Sequence, residues 1–216
     1  MDGIGGRRFY AAKSLVNDEG RRFYFAWAHD RAQQSNFGEW YWGGQFCIPH
    51  EVCQNESGEL DVKLPREYVE AWLEPVEWSY EHKLGKFRTY GDKCIYLDSV
   101  STLSYGFIKV KEKSFLFSCK VKPVDMADHF ATQCIVLAFD KGMQRAELLN
   151  LPMEVDPFWE ASCTNIGIPK DAGPDGIRVC EKPFPYKDGD VIDIKVAIDR
   201  DMIEIFAGEK IAFTYR

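Results

Sequence analysis

Apolar and polar residues alternate in short runs along this chain, and no long stretch keeps the 3.6-residue spacing of an amphipathic helix. Arg22-Phe23-Tyr24-Phe25-Ala26-Trp27 reads as a strand entered from the turn Asn17-Asp18-Glu19-Gly20. Ser114 to Val121 and Cys134 to Phe139 read as two more. The clearest alternation spans Val191 to Ile198, with Ile192, Ile194, Val196 and Ile198 facing one way and Asp193 and Lys195 the other. Met202–Phe206 and Ile211–Tyr215 follow after Asp199-Arg200-Asp201 and Ala207-Gly208-Glu209-Lys210, which predicts a three-strand meander. The pattern is that of an all-β chain.

One segment departs from it. Pro65-Arg66-Glu67-Tyr68-Val69-Glu70-Ala71-Trp72 places Pro at a first helical position and an early Glu behind it, which predicts a short helix. It separates an aromatic, Gly-rich front section from a long β section. A front of some 60 residues is too short for a comfortable core of its own, so it must pack on something else.

Composition narrows the functions open to such a chain. Its 216 residues are 45% hydrophobic and 28% charged, so a substantial core is available and wholesale disorder is excluded. The net charge of -7 comes without a basic stripe, which argues against nucleic acid and anionic membranes as partners but leaves a neutral sugar untouched. No apolar run approaches the length of a membrane-spanning helix. Seven cysteines at wide spacings, with no C-x-x-C, indicate neither a disulfide framework nor a zinc site; several lie in apolar runs, where buried thiols are expected. No metal or other cofactor is expected. The opening residues contain no apolar leader segment, which favours a cytoplasmic location.

A series of motifs then falls in order. The front section carries Asp2-Gly3-Ile4-Gly5-Gly6-Arg7-Arg8-Phe9-Tyr10-Ala11, next Gly20-Arg21-Arg22 with Trp27, and then Trp42-Gly43-Gly44-Gln45-Phe46-Cys47-Ile48-Pro49-His50-Glu51. Gly58-Glu59-Leu60 through Lys63-Leu64-Pro65-Arg66-Glu67 leads to the helix. At the far end stand Ala197-Ile198-Asp199-Arg200-Asp201-Met202-Ile203-Glu204-Ile205-Phe206 and Ile211-Ala212-Phe213-Thr214-Tyr215-Arg216. Together they resemble the C-terminal portion of glycoside hydrolase family 32, the invertase, levanase and inulinase group. Residues 80–190 match that family only in strand character.

The resemblance implies an incomplete last β-propeller blade over 1–64, a short helical link over 65–79 and a two-sheet antiparallel, concanavalin-like β-sandwich over 80–216. It implies carbohydrate chemistry on fructosides, performed by an intact enzyme. The catalytic motifs of the family are W-M-N-D-P-N-G, R-D-P and E-C, and none occurs here. Asn17-Asp18 runs into Glu19-Gly20, Arg200-Asp201 is followed by Met202, and no Glu-Cys pair exists. Retaining hydrolysis needs two carboxyl groups about 5–5.5 Å apart, and nothing in the spacing of Asp2, Asp30, Glu39 and Glu51 sets two of them face to face. The chain alone is therefore expected to be inactive on sucrose and fructans, with a structural role. Its expected partners are the missing propeller blades or another chain. The alternative is a stand-alone carbohydrate-binding or protein-interaction sandwich, and a third reading is an inactive remnant.

Three residues are candidates for substrate binding on motif position. Trp42 stands where the family places a tryptophan at the rim of the sugar pocket, where an aromatic face stacks on a sugar ring. Asp2 is a loop carboxylate able to accept sugar hydroxyls, or equally a turn former. Glu51 belongs to Pro49-His50-Glu51, where the family has P-R-E; it has a pocket-side reading and a strand-closing one. His50, in place of that arginine, has no His or Cys at metal-ligand spacing. Asp199, Arg200 and Glu204 are expected at a turn and in cross-strand pairs on the outer face of the sandwich. Trp27, Trp40, Trp72, Trp78 and Trp159 are read as packing residues, with Trp40-Tyr41-Trp42 as an aromatic patch.

Overall fold

The computed structural model describes residues 9–29, 44–72, 74–91, 94–98, 104–122, 124, 132–138, 146–152, 160–166, 177–183, 186–187, 189–200 and 202–215. The strands are β1 (Tyr10–Val16), β2 (Arg22–His29), β3 (Gly44–Phe46), β4 (His50–Gln54) and β5 (Leu60–Lys63), followed by the helix α1 (Arg66–Ala71). Then come β6 (Trp78–Leu84), β7 (Lys86–Tyr90), β8 (Cys94–Asp98), β9 (Tyr105–Val110) and β10 (Ser114–Val121). The chain continues through β11 (Thr132–Ala138), β12 (Ala146–Pro152), β13 (Glu160–Ile166), β14 (Ile177–Pro183), β15 (Ile192–Asp199), β16 (Met202–Ala207) and β17 (Ile211–Tyr215). All described pairings are antiparallel, so the expected all-β architecture holds.

Two sheets hold the residues of the front and C-terminal motifs. The front sheet has the order β1-β2-β4-β5, with β3 also on β2, and the C-terminal sheet has the order β10-β15-β16-β17. β11 to β14 form a separate four-stranded meander, while β6 pairs β9 and β7 pairs β8. The predicted C-terminal meander is present in register, with Val196 opposite Ile205 and Ile205 opposite Phe213. Ile192, Ile194 and Val196 are fully buried as their alternation requires, and they join Ile203, Ile205, Ala207, Ile211 and Phe213 in one cluster. β-branched side chains dominate it because they pack well on a pleated surface.

The turns are made by local chemistry. Asn17 Oδ1 accepts from the N–H groups of Glu19 and Arg21, and Gly20 takes φ +78° to close the β1–β2 hairpin. Gly208 and Glu209 both take φ +57°, the pair of left-handed residues that a type I′ turn between β16 and β17 demands. The helix is as short as expected, but Pro65 caps it rather than opening its first turn: its ψ of 140° is extended, and its carbonyl accepts from Tyr68 and Val69.

β16 is buried along its entire length, from Met202 to Ala207. Ile203, Ile205 and Ala207 enter the core cluster, and Met202, Glu204 and Phe206 point the other way, at the front sheet. This corrects the expectation that Glu204 lies on an outer, solvated face: its side chain has no solvent exposure. The physical reason is that the face of β16 opposite the Ile203–Ile205 cluster is itself an interface. Ile48, Val52, Val62 and Leu64 of the front section pack there against Ala197, Phe206 and Ala212. Arg200 holds the turn as expected, at φ +59°, and Asp199 makes its cross-strand bond, accepting from Ser114 Oγ at 2.8 Å, but Asp199 also faces the front section and accepts from Gln45 at 3.5 Å.

Candidate functional site

The polar residues of the motifs converge on strand β4. Its first two residues face opposite ways, as neighbours in a strand must. His50 points at the C-terminal sheet and Glu51 at the far side, toward Arg21.

On the Glu51 side, Arg21 Nε and Nη2 bond the two carboxylate oxygens at 3.0 and 2.5 Å, a bidentate pair. The same guanidinium reaches Glu67 on α1, with Nη2 to Oε2 at 3.0 Å, and lies 4.9 Å above the Phe23 ring. Arg66 adds bonds to Glu19 and Glu67. Arg21 thereby ties the β1–β2 hairpin end, β4 and the helix together. The bond from Arg21 holds the Glu67 carboxyl down at about 2, well below its ordinary 4.5, and both glutamates hold the guanidinium proton more firmly than usual. With both oxygens committed to Arg21, Glu51 is buried in the arrangement of a strand-closing pair.

On the other side, Glu204 accepts three hydrogen bonds: Ile48 N–H at 2.6 Å, His50 Nε2 at 2.8 Å and Thr214 Oγ1 at 3.1 Å. The His50 ring stacks on Phe9, with centroids 4.0 Å apart, and meets Phe206 edge-on. Its Nδ1 has no partner among the described residues. Beside this pair a small cleft of about 120 Å³ opens between Gln45, Phe46, Tyr68, Asp199 and Met202. Burial and the nearby carboxylates of Glu204 and Asp199 push the Tyr68 phenol up to about 12, so it stays a neutral donor.

Of the three predicted binding residues, the structure describes only Glu51; Asp2 and Trp42 lie outside the described residues, as do Asp30, Glu39, Trp40 and Trp159. Among the described residues no group of three or more His, Cys, Asp and Glu is arranged to hold a metal, and no helix is long and apolar enough to cross a membrane. Two packing expectations change. Trp78 is partly exposed in β6, and Cys94 is exposed in β8 rather than buried. Cys47 is buried as expected, and Cys53 and Cys119 are half-buried. Sequence reasoning missed the partner of His50. The available signal was Glu204 between Met202 and Phe206 on one strand face, since a carboxylate flanked at i±2 by large apolar residues marks a covered face, not a solvated one.

No protein-family model matches this chain, and no curated protein does. Solved structures do. The chain is similar to the exo-inulinase of Aspergillus awamori (TM-score 0.57, 15% identity, 97% of this chain and 38% of that one). It is similar to fructan 1-exohydrolase IIa of Cichorium intybus (0.58, 14%, 97% and 42%) and to sucrose-6-phosphate hydrolase of Lactobacillus gasseri (0.52, 10%, 96% and 36%). At such identities the likeness is one of fold. The chain spans only 36–42% of the length of these enzymes.

Proposed function

We propose that this chain is the C-terminal portion of a β-fructosidase-like hydrolase of glycoside hydrolase family 32. In this reading residues 1–64 supply part of the last propeller blade, 65–79 the link and 80–216 the accessory sandwich. What carries it is that nearly the whole chain, front and C-terminal sections together, follows the fold of three enzymes named for inulin, fructan and sucrose phosphate. The motif order at both ends of the sequence agrees.

The role we assign to the chain is structural: the sandwich backs the blade, and the reacting carboxylates belong to other segments. Trp42 and Asp2 remain the residues we assign to sugar contact in the intact enzyme, while Glu51 serves by closing β4 onto Arg21. The front sheet supports the need for further segments. Along the face that carries the Arg21–Glu51 pair, Leu15 and Phe25 stand exposed beside Lys13, as they would on a sheet that packs against a neighbour.

The test is to incubate the chain with sucrose, inulin and levan and to titrate it with inulin by calorimetry. Neither fructose release nor saturable heat is expected. Fructose appearing at turnover rates overturns the assignment of the chemistry to other segments. Saturable inulin binding without hydrolysis favours the stand-alone binding module instead.

A further inference from the structure

The contact between the front sheet and the C-terminal sheet is mostly apolar. Ile48, Val52, Val62 and Leu64 lie against Ala197, Phe206 and Ala212, with half-buried Tyr24, Tyr68, Val69 and Leu116 around them. Apolar contact is non-directional, and the small side chains of Ala197 and Ala212 leave a shallow floor on which one sheet can slide over the other. Glu204 interrupts that floor. It sits in a row with Ala197 and Thr214 across β15, β16 and β17, and has no access to water.

A buried carboxylate is tolerated only where donors meet it. Of its three donors, Thr214 Oγ1 belongs to its own sheet, whereas Ile48 N–H and His50 Nε2 belong to the front section. Displacing the front sheet by one residue along β16 would keep Glu204 covered yet remove both. His50 is oriented for this task by Phe9 and Phe206, which confine its ring from two sides. The other polar links across the junction lie at the strand ends of the C-terminal sheet, away from Glu204: Lys210 Nζ to Asp61 at 2.6 Å and to Glu59 at 3.4 Å, Val62 N–H to the Glu209 carbonyl at 2.7 Å, and Gln45 to Asp199 at 3.5 Å.

We infer that Glu204 is a positioning residue that fixes the single register in which the front sheet docks on the C-terminal sheet. The apolar contacts supply the attraction, and the carboxylate selects which docking is allowed. This inference concerns the chain itself and stands whether or not the assignment to a hydrolase does.

The experiment compares the full chain with Glu204→Gln and His50→Gln by amide hydrogen exchange, resolved by peptide over 44–64 and 192–215. Glu204→Gln keeps the size but turns one acceptor into a donor facing His50 and Thr214. It is expected to raise exchange over 44–64 at least tenfold and to leave 192–215 within twofold of the parent. His50→Gln retains a donor and is expected to show a smaller effect confined to the same peptides; it also serves if Glu204→Gln does not fold. Equal loss of protection in both regions would mean that Glu204 contributes only to global stability and would overturn the inference. Unchanged protection over 44–64 would overturn it as well.

Discussion

The imidazole of His50 and the carboxylate of Glu204 meet at 2.8 Å across 154 positions of sequence, and neither side chain touches solvent. Every donor that Glu204 receives is a group that would itself be buried without it. The pair is therefore costly to break from one side and much cheaper to remove whole.

His50→Leu is accordingly expected to destabilise the chain by about 3–5 kcal/mol, because it strands a buried carboxylate. His50→Leu combined with Glu204→Leu should recover part of that loss, leaving the Ile48 N–H as the main unsatisfied group. Urea unfolding of the two single variants and the double variant measures the coupling. Additive losses would contradict it.

Acid should weaken the link between α1 and the front sheet. Glu67, bonded to Arg21, and Glu81, bonded to Lys109 and Lys83, both have carboxyl values near 2 against an ordinary 4.5. Folded, these groups bind protons less readily than unfolded, so their contribution is complete above about 4.5 and is lost as pH falls toward 2. Melting temperature should decline across that window, and Glu67→Gln should flatten the decline. Both carboxylates are exposed, so 1 M salt is expected to flatten it too.

Thiol reactivity should follow burial. Burial, helped by the neighbouring Asp193, pushes the Cys119 thiol up to about 11, so almost none of it is thiolate at neutral pH. Cys94 lies exposed on β8. Brief labelling with a maleimide at pH 7.5, read by peptide mass spectrometry, should modify Cys94 well before Cys119. Equal labelling of the two would mean that β10 opens on the labelling timescale.

Gly208→Ala tests the β16–β17 turn. The residue sits at φ +57°, and an added Cβ would run into the ring of Tyr186, whose hydroxyl donates to the Gly208 carbonyl. A loss of about 1–3 kcal/mol is expected from the backbone strain alone, read as a lower melting temperature. Tyr186→Phe, which removes only the hydroxyl, should cost about 1 kcal/mol.

Strands whose alternation is strict are legible in the sequence: the pattern places β15 to within a residue at each end, and β10 and β17 at both. That the far face of β16 is covered is signalled by Met202 and Phe206 on either side of Glu204, but what covers it is not legible, because period-two patterning says which residues share a face and not what lies against it. Two of the three donors to Glu204, Ile48 N–H and His50 Nε2, come from the other sheet, 156 and 154 positions away in sequence. The pairing of Glu51 with Arg21 is of the same kind. Both residues lie in family-like motifs, and the turn at Asn17 is legible, yet their contact depends on the pairing of β4 with β2, which no local pattern encodes. In the sequence the front and C-terminal motifs are separate signals, and the structure makes them two halves of one junction.

The burial of β16 on both faces also bears on how the protein is made. Ile48 and His50 leave the ribosome long before the strand that receives them, so the nascent chain must carry an apolar sheet with no seat while about 150 further residues are made. Folding of this region has to wait for β15 to β17. That separation predicts slow maturation, in which pairing across some 150 residues of chain, more than local collapse, sets the rate.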